Sequence, residues 1–250
     1  MPLEALIFDV DGTLAETEEW HRQAFNEAFA DAGLDWHWDQ ALYAKLLEVT
    51  GGKERMRHYA ETHGRAIDDA AIARLHAAKT TRYVASVEGG AMSLRPGVAR
   101  VLHEAHAAGL RLAIATTTSL ENVTALLRTT LGPNGAGLFE CIGAGDMVPA
   151  KKPAPDIYRL VLDRLRLAPG CCIAFEDTPN GLHAAQGAGI PTVITTSLYG
   201  GTTGFADALM VVDGLGDASA ACRVLHGAPL NGPMLQVADL RRILDAASQG

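Results

Sequence analysis

Two acidic residues, one position apart, follow the first apolar run of the sequence. Asp9 and Asp11 come directly after residues 5–8, Ala-Leu-Ile-Phe, and are followed by Gly12. Because side chains alternate along an extended chain, both carboxyl groups are predicted to point the same way, and the glycine lets the backbone turn sharply beside them. Two carboxylates this close repel each other unless a cation or a shared proton relieves the repulsion. The pair is therefore suited to nucleophilic and acid–base chemistry next to a bound cation.

Further reactive side chains follow later apolar runs of the chain. Thr116 follows one such run, Glu176 and Asp177 follow another, and Lys152 lies in the loop between them. Pro153 disfavours helix at the preceding lysine and keeps it in an extended loop. Because the carboxyl ends of parallel strands lie on one edge of a sheet, all these groups are predicted to meet the first two acids there.

The carboxylates at this edge outnumber the single lysine, so the predicted site is too negative to accept an anion by itself. A hard divalent cation would correct this, and Mg²⁺ binds one or two carboxylates together with waters and phosphate oxygens. The predicted ligands are Asp9 and Asp177, with Glu176 and the carbonyl group of Asp11 as further candidates.

These residues together suggest a mechanism of phosphoryl transfer. With Mg²⁺ and Lys152 on the phosphate oxygens and the Thr116 hydroxyl on another, Asp9 could attack phosphorus in line and form an aspartyl phosphate. Asp11 would protonate the leaving oxygen and then take a proton from the attacking water. Three consecutive threonines leave the register open, and Thr117 could contribute its backbone amide.

The chain around these groups alternates between helical and strand-like patterns, which predicts a doubly wound parallel sheet of the Rossmann-like α/β class. Residues 16–92 interrupt this alternation with helical periodicity and no convincing strand. We therefore predict a core domain of residues 1–15 and 93–250 and an inserted α-helical cap domain of residues 16–92. The last strand is predicted at residues 209–212, and a surface helix at residues 235–247.

The composition of the chain argues against some classes of binding partner. The 250 residues carry a formal net charge of -8, which argues against a surface for nucleic acids or anionic membranes. No stretch approaches the ~20 apolar residues of a membrane span, and the four cysteines lack metal-ligand spacing. We expect a cytoplasmic protein that acts on a small molecule, with a monomer as the default state.

The four polar segments resemble, in order, the motifs of the haloacid dehalogenase-like phosphatases over about residues 5–195. They are residues 8–13 (Phe-Asp-Val-Asp-Gly-Thr), Thr116, Lys152-Pro153 and Glu176-Asp177. The resemblance implies Mg²⁺, an aspartyl-phosphate intermediate and a cap that closes over the substrate. The helical insertion is similar to that of the subgroup containing β-phosphoglucomutase, phosphoglycolate phosphatase and sugar phosphatases.

Within that subgroup, residues 51–55, 151–158 and 233–244 are most similar to the CbbY-type phosphatases of photosynthetic carbon-fixation operons. This resemblance implies dephosphorylation of xylulose 1,5-bisphosphate, an inhibitor of the carboxylating enzyme, to xylulose 5-phosphate. It also implies substrate contacts from the cap. The implied residues are Glu16 and His21 for sugar hydroxyls and Lys53, Arg55 and Lys79 for the second phosphate.

Other functions remain open on the sequence. A β-phosphoglucomutase-like mutase would use the same core and differ in the cap, and a phosphoglycolate phosphatase would share all four motifs. Carbon–phosphorus hydrolysis would use a cap lysine such as Lys53, but enzymes of that type usually lack the second acid of the first motif, which is present here as Asp11. A regulatory protein on an inactive core would be expected to lack a nucleophile or metal acid, and none is missing.

Overall fold

The apolar runs of the sequence form a single β-sheet at the centre of the molecule. The computed structural model describes residues 2–90 and 92–247. The strands are β1 (Ala5–Phe8), β2 (Arg111–Ala115), β3 (Cys141–Gly143), β4 (Cys172–Glu176), β5 (Thr192–Thr195), β6 (Met210–Val212) and β7 (Val224–His226). Within the described residues the order is β3-β2-β1-β4-β5-β6-β7, and all neighbours are parallel except the antiparallel pair β6 and β7. The predicted α/β fold class is confirmed.

Helices cover both faces of the sheet and fill the segment between β1 and β2. They are α1 (Glu18–Asp31), α2 (Gln40–Leu46), α3 (Gly52–Thr62), α4 (Asp69–Glu88), α5 (Val98–Ala107), α6 (Leu120–Leu131), α7 (Asp156–Leu165), α8 (Pro179–Gly187) and α9 (Val237–Ala247). Short 3₁₀ turns occur at Gly135–Leu138, Gly145–Met147 and Pro169–Cys171.

Strand β1 lies inside the sheet, between β2 and β4, and its four side chains are apolar and buried on both faces. Leu6 and Phe8 join the hydrophobic cluster on one face, and Ala5 and Ile7 join the cluster on the other. The ring of Phe8 stacks on that of Phe175 in β4, with centroids 4.6 Å apart. This packing fixes the carboxyl ends of β1 and β4 side by side, which is where the acidic residues follow.

Helices α1 to α4 pack around an aromatic cluster of their own. Phe25, Phe29 and Trp38 form its centre, and the Trp38 ring lies 4.8 Å from each of the two phenylalanine rings. The described residues between β1 and β2 contain no strand, in line with the helical pattern of the sequence. The division into a core of residues 1–15 and 93–250 and a cap of residues 16–92 stays a prediction.

Two features near the end of the chain differ from the sequence prediction. The prediction that residues 209–212 hold the last strand was wrong, because β7 adds a short antiparallel strand with mostly exposed side chains and therefore no apolar signal. The helix near residue 240 was assigned to the surface, but α9 buries Leu240, Ile243 and Leu244 in the main core. No helix among the described residues combines the length and apolarity needed to cross a membrane.

Candidate active site

The site is built around a buried lysine that contacts two carboxylates. Lys152 Nζ lies 2.6 Å from Asp9 Oδ1 and 2.6 Å from Glu176 Oε1. Asp9 follows β1, and its backbone amide donates to Phe175 O at the end of the neighbouring strand β4. The three side chains are almost completely buried, so their charges interact in a medium of low dielectric constant.

The carboxylates of this site carry more negative charge than the lysine neutralises. Burial raises the pKa of Asp9 to about 8, against the opposing effect of Lys152, and Glu176 and Asp11 raise it further. Burial and the Asp9 charge likewise raise the pKa of Asp177 well above its ordinary value. Oxygen atoms of Asp9, Glu176 and Asp177 lie within 4.8 Å of one another. A buried set of hard oxygen donors with excess negative charge fits a divalent cation such as Mg²⁺.

Asp11 is held by the first residues of the cap segment. Its Oδ1 accepts hydrogen bonds from Thr17 Oγ1 at 2.5 Å and from His21 Nε2 at 3.0 Å. On the other side of the imidazole, Lys79 Nζ lies 2.7 Å from His21 Nδ1. An ammonium cannot accept a hydrogen bond, so Nδ1 is the acceptor and the ring proton lies on Nε2. Although burial opposes ionisation, His21 and Thr17 lower the pKa of Asp11 to about 2.

The threonines that follow β2 make different contacts. The Thr116 side chain is buried, and its Oγ1 accepts a hydrogen bond from the Thr118 backbone amide at 3.3 Å. Thr117 and Thr118 line the inner cavity described below, whereas Thr116 is not among its lining residues. The backbone of this turn and Thr117 are therefore placed next to the carboxylates, whereas the Thr116 hydroxyl stabilises the turn itself.

The carboxylates face two adjoining hollows that we call the inner cavity. One part, of about 80 Å³, is lined by Asp9, Asp11, Glu18, Leu47, Thr50, Arg55, Thr117, Lys152, Glu176, Asp177, Thr178, Asn180, Tyr199 and Gly200. The other part, of about 50 Å³, shares Asp11, Glu18, Arg55 and Thr117 and adds His21 and Lys79 among others. Three of the predicted cap residues thus line the inner cavity: His21, Arg55 and Lys79.

Lys53 lines a separate hollow of about 310 Å³, which we call the distal cavity. It adjoins the inner cavity, since Thr117 and His76 line both. Lys53 Nζ and Lys151 Nζ each lie 2.7 Å from a different oxygen of Asp146. Lys151 is therefore an ion-pair partner in the wall of this cavity.

Glu16 is directed away from both cavities. Its Oε1 lies 3.3 Å from Arg95 Nε, and it does not occur among the described cavity-lining residues. Glu18, two positions later, lines the inner cavity instead, and its Oε2 accepts from Tyr43 Oη at 2.7 Å. Arg55 donates to the same hydroxyl at 3.2 Å, which fixes the guanidinium at the cavity wall.

Sequence reasoning missed Glu18, Tyr43 and Ser197. The hydroxyl of Ser197 donates to Asp177 Oδ2 at 2.6 Å and accepts from the Gly200 amide at 2.8 Å. A usable signal existed for Ser197, because it follows β5 and therefore lies on the same sheet edge as the acids. For Tyr43 the sequence carried no signal, because a tyrosine on a cap helix is indistinguishable from an ordinary core aromatic residue.

Comparison with known proteins identifies the family. Residues 3–189 match the family model of the haloacid dehalogenase-like hydrolases. The chain belongs to the haloacid dehalogenase-like hydrolase family. The predicted resemblance and the predicted enzyme class, a phosphoric monoester hydrolase, are confirmed.

Individual members of this family are similar to the chain over most of its length. The chain is 55% identical to protein CbbY of Rhodobacter capsulatus over 80% of this chain and 88% of that protein. Its structure matches that of a CbbY variant from Rhodobacter sphaeroides in complex with xylulose-(1,5)bisphosphate, with a TM-score of 0.82, 48% identity and coverage of 87% of this chain and 98% of that chain. A β-phosphoglucomutase from Clostridium difficile, 18% identical over 99% of this chain and 100% of that chain with a TM-score of 0.79, shares the fold.

The hydrogen bond from Ser197 to Asp177 generates a prediction about metal affinity. Replacing Ser197→Ala removes the donor that orients the carboxylate, and loss of such a partner typically weakens metal binding about 10-fold or more. Calorimetric titration with Mg²⁺ measures the change. Ser219→Ala, on an exposed loop, serves as the control and should leave the affinity unchanged. Equal Mg²⁺ affinity in wild type and Ser197→Ala would contradict the assignment of Asp177 as a ligand.

The buried position of Lys79 predicts a pH dependence of stability. Burial lowers the pKa of Lys79 to about 8, although Asp11 and Glu18 oppose the effect. Between this value and the unfolded pKa of about 10.5, the unfolded chain binds the extra proton, so folding stability rises with pH. From pH ~7 to pH ~9.5 the gain should be about 2 kcal/mol.

Lys79→Met should lack this gain, as measured by urea unfolding of both proteins in metal-free buffer at the two pH values. Asp9 titrates in both proteins, so its contribution cancels in the difference. If the free energy of unfolding changes with pH by the same amount in wild type and variant, the pKa of Lys79 is not lowered by folding.

Proposed function

We propose that the protein is a Mg²⁺-dependent phosphatase of a small phosphorylated sugar that works through an aspartyl phosphate. The observation that carries the proposal is the contact of Lys152 with both Asp9 and Glu176 at the edge of the inner cavity. An ammonium held against a buried carboxylate can bind the oxygens of a phosphoryl group while the carboxylate attacks phosphorus.

A cation would be held by Asp9 and Asp177, with Glu176 beside them. The Asp11 carbonyl group is proposed as a further ligand. When bound, Mg²⁺ would neutralise phosphate oxygens and favour the ionised form of the nucleophile. All further steps belong to side chains of this protein.

In the first step an Asp9 carboxylate oxygen forms a bond to phosphorus, and the bond from phosphorus to the sugar oxygen breaks. Asp11 supplies the proton that the sugar oxygen needs. In the second step water attacks phosphorus, the bond to Asp9 breaks, and Asp11 takes the proton from the water. Oδ1 of Asp11 is occupied by Thr17 and His21. A proton received at Oδ1 from His21 reaches the sugar oxygen when the carboxyl group turns, and the other oxygen takes the proton from the attacking water.

The low pKa of Asp11 suits its role as a base and requires a proton source for its role as an acid. The negative charge of an arriving phosphate raises the pKa of a neighbouring carboxyl group, which makes protonation easier. The Nε2 proton of His21 lies in hydrogen-bond contact with Asp11, and Lys79 contacts the opposite ring nitrogen. These two cap residues can deliver the proton, so that proton supply depends on the cap lying against the core.

The distal cavity supports a substrate with a second phosphate. Lys53 and Lys151 bring two positive charges to its wall, where the carboxylates of Glu54, Glu121 and Asp146 also lie, and both lysines pair with Asp146. The amino ends of α3 and α6 also border it, through Gly51, Gly52 and Ser119. Helix amino ends and lysines both favour an anion.

The residues shared by the two parts of the inner cavity suit the hydroxyl groups of a sugar. Glu18 has one carboxylate oxygen on Tyr43, and Arg55 is fixed by Tyr43 and by the Leu46 carbonyl group. The remaining hydrogen-bonding groups of Glu18 and Arg55 can pair with hydroxyls on neighbouring carbons. We therefore propose xylulose 1,5-bisphosphate as the substrate and xylulose 5-phosphate as the product, supported by the ligand in the structure of the relative.

The experiment that tests this proposal compares release of free phosphate from xylulose 1,5-bisphosphate, phosphoglycolate and β-glucose 1-phosphate. We expect fastest release from the bisphosphate, with xylulose 5-phosphate as the organic product. Asp9→Asn should lower kcat by about 10³-fold or more because the nucleophile is lost. Asp245→Asn, on the exposed face of α9, is the matched control. Isomerisation of the glucose phosphate without phosphate release would favour a mutase, and an active Asp9→Asn would refute the nucleophile.

The distal cavity yields a second prediction for the same assay. Lys53→Ala should raise KM for the bisphosphate about 10-fold, the effect of losing one charged contact to phosphate. KM for a sugar monophosphate should stay the same, because nothing then occupies the distal cavity. Lys45→Ala, an exposed lysine of α2, provides the matched control. Equal effects of Lys53→Ala on both substrates would place the second phosphate elsewhere.

A further inference from the structure

We infer that Tyr158 is a positioning residue of the proposed reaction, because its hydroxyl fixes Glu176 and thereby holds Lys152 against Asp9. The inference rests on the proposed function and adds a group that does not touch the substrate. Tyr158 lies in the first turn of α7, six positions after the lysine, and has no exposed surface.

Tyr158 contacts the lysine–glutamate pair in two ways. Its Oη donates to Glu176 Oε1 at 2.5 Å, and the same oxygen accepts from Lys152 Nζ at 2.6 Å. The Lys152 ammonium also lies 5.3 Å from the centroid of the Tyr158 ring, within the range of a cation–π contact. One side chain therefore touches both the cation and the anion that pairs with it.

The glutamate is confined from the opposite side as well. A Cβ atom built on Gly181, in the first turn of α8, would lie 1.8 Å from Glu176 Oε2. The carboxylate thus occupies the space that a side chain at position 181 would fill. With α8 on one side and the Tyr158 hydroxyl on the other, Glu176 has a single orientation, which directs Oε1 at the lysine.

The position of the ammonium matters because a lysine has only three donors and a flexible stem. Two donors of Lys152 point to Asp9 and Glu176, which leaves the third for a phosphoryl oxygen. Without the Tyr158 hydroxyl, Glu176 Oε1 would keep only the lysine as a partner and could turn. The ammonium would then follow the carboxylate away from the position that serves the phosphoryl group.

Tyr158→Phe tests this inference, because it removes the hydroxyl and keeps the ring. We expect kcat to fall about 10-fold, the usual effect of losing one hydrogen bond in a buried network, while KM for the bisphosphate stays within twofold. The melting temperature should stay close to that of wild type. Tyr59→Phe, in the aromatic cluster of the cap helices, is the matched control and should leave kcat unchanged.

A second measurement separates positioning from a purely structural role. Beryllium fluoride with Mg²⁺ mimics a phosphoryl group on the nucleophile, and its affinity is measured by calorimetry without turnover. We expect about 10-fold weaker binding to Tyr158→Phe and unchanged binding to Tyr59→Phe.

The outcomes distinguish this inference from the proposed function. If wild type releases phosphate and Tyr158→Phe matches it in kcat and beryllium fluoride affinity, the inference is overturned and the function stands. A lower melting temperature with a raised KM and unchanged beryllium fluoride affinity also overturns it, because such changes mark a structural role alone. If wild type releases no phosphate from any sugar, the proposed function itself fails.

Discussion

The site depends on the burial of more negative charge than the protein itself neutralises. Asp9, Glu176 and Asp177 share the carboxyl ends of two adjacent strands with one cation, Lys152. Removing charges from water is costly unless each is paired, so such a cluster persists only where the backbone enforces it. The stacked rings of Phe8 and Phe175 and the parallel register of β1 and β4 provide that enforcement. In the proposed function, this excess charge attracts a divalent cation and, through it, a phosphate.

Residues of the predicted cap segment contact Asp11, which lies two positions after Asp9. Thr17 and His21 contact Asp11, and Lys79 contacts His21, so the residue proposed as acid and base is held by residues of the predicted cap. Asn180 and Tyr199 hydrogen-bond Thr50 and Glu19 of the same helical segment. In the proposed mechanism, proton transfer and substrate enclosure therefore depend on one arrangement of helices over the sheet edge.

The sequence predicted the parts of the site that follow regular strands. Asp9 and Asp177 could be located because a buried parallel strand is a continuous apolar run whose end is easy to recognise, and Lys152 because Pro153 keeps it in an extended loop. Glu18, which lines the inner cavity, was not predicted because the turn before α1 has no periodicity from which to read side-chain direction. Likewise, β7 has three residues and little burial, so hydrophobic pattern could not reveal it. Contacts such as that of Tyr43 with Glu18 depend on tertiary packing, which pattern alone does not encode.

The proposed mechanism requires Asp9 to form a covalent bond to phosphorus. The most direct measurement is acid quenching of the enzyme within one turnover of xylulose 1,5-bisphosphate and Mg²⁺, followed by peptide mapping by mass spectrometry. We expect one phosphoryl group on the peptide that contains Asp9, and fragmentation of that peptide should place the group on Asp9. A phosphoryl group on another residue, or phosphate release at full rate with none on the protein, would contradict it.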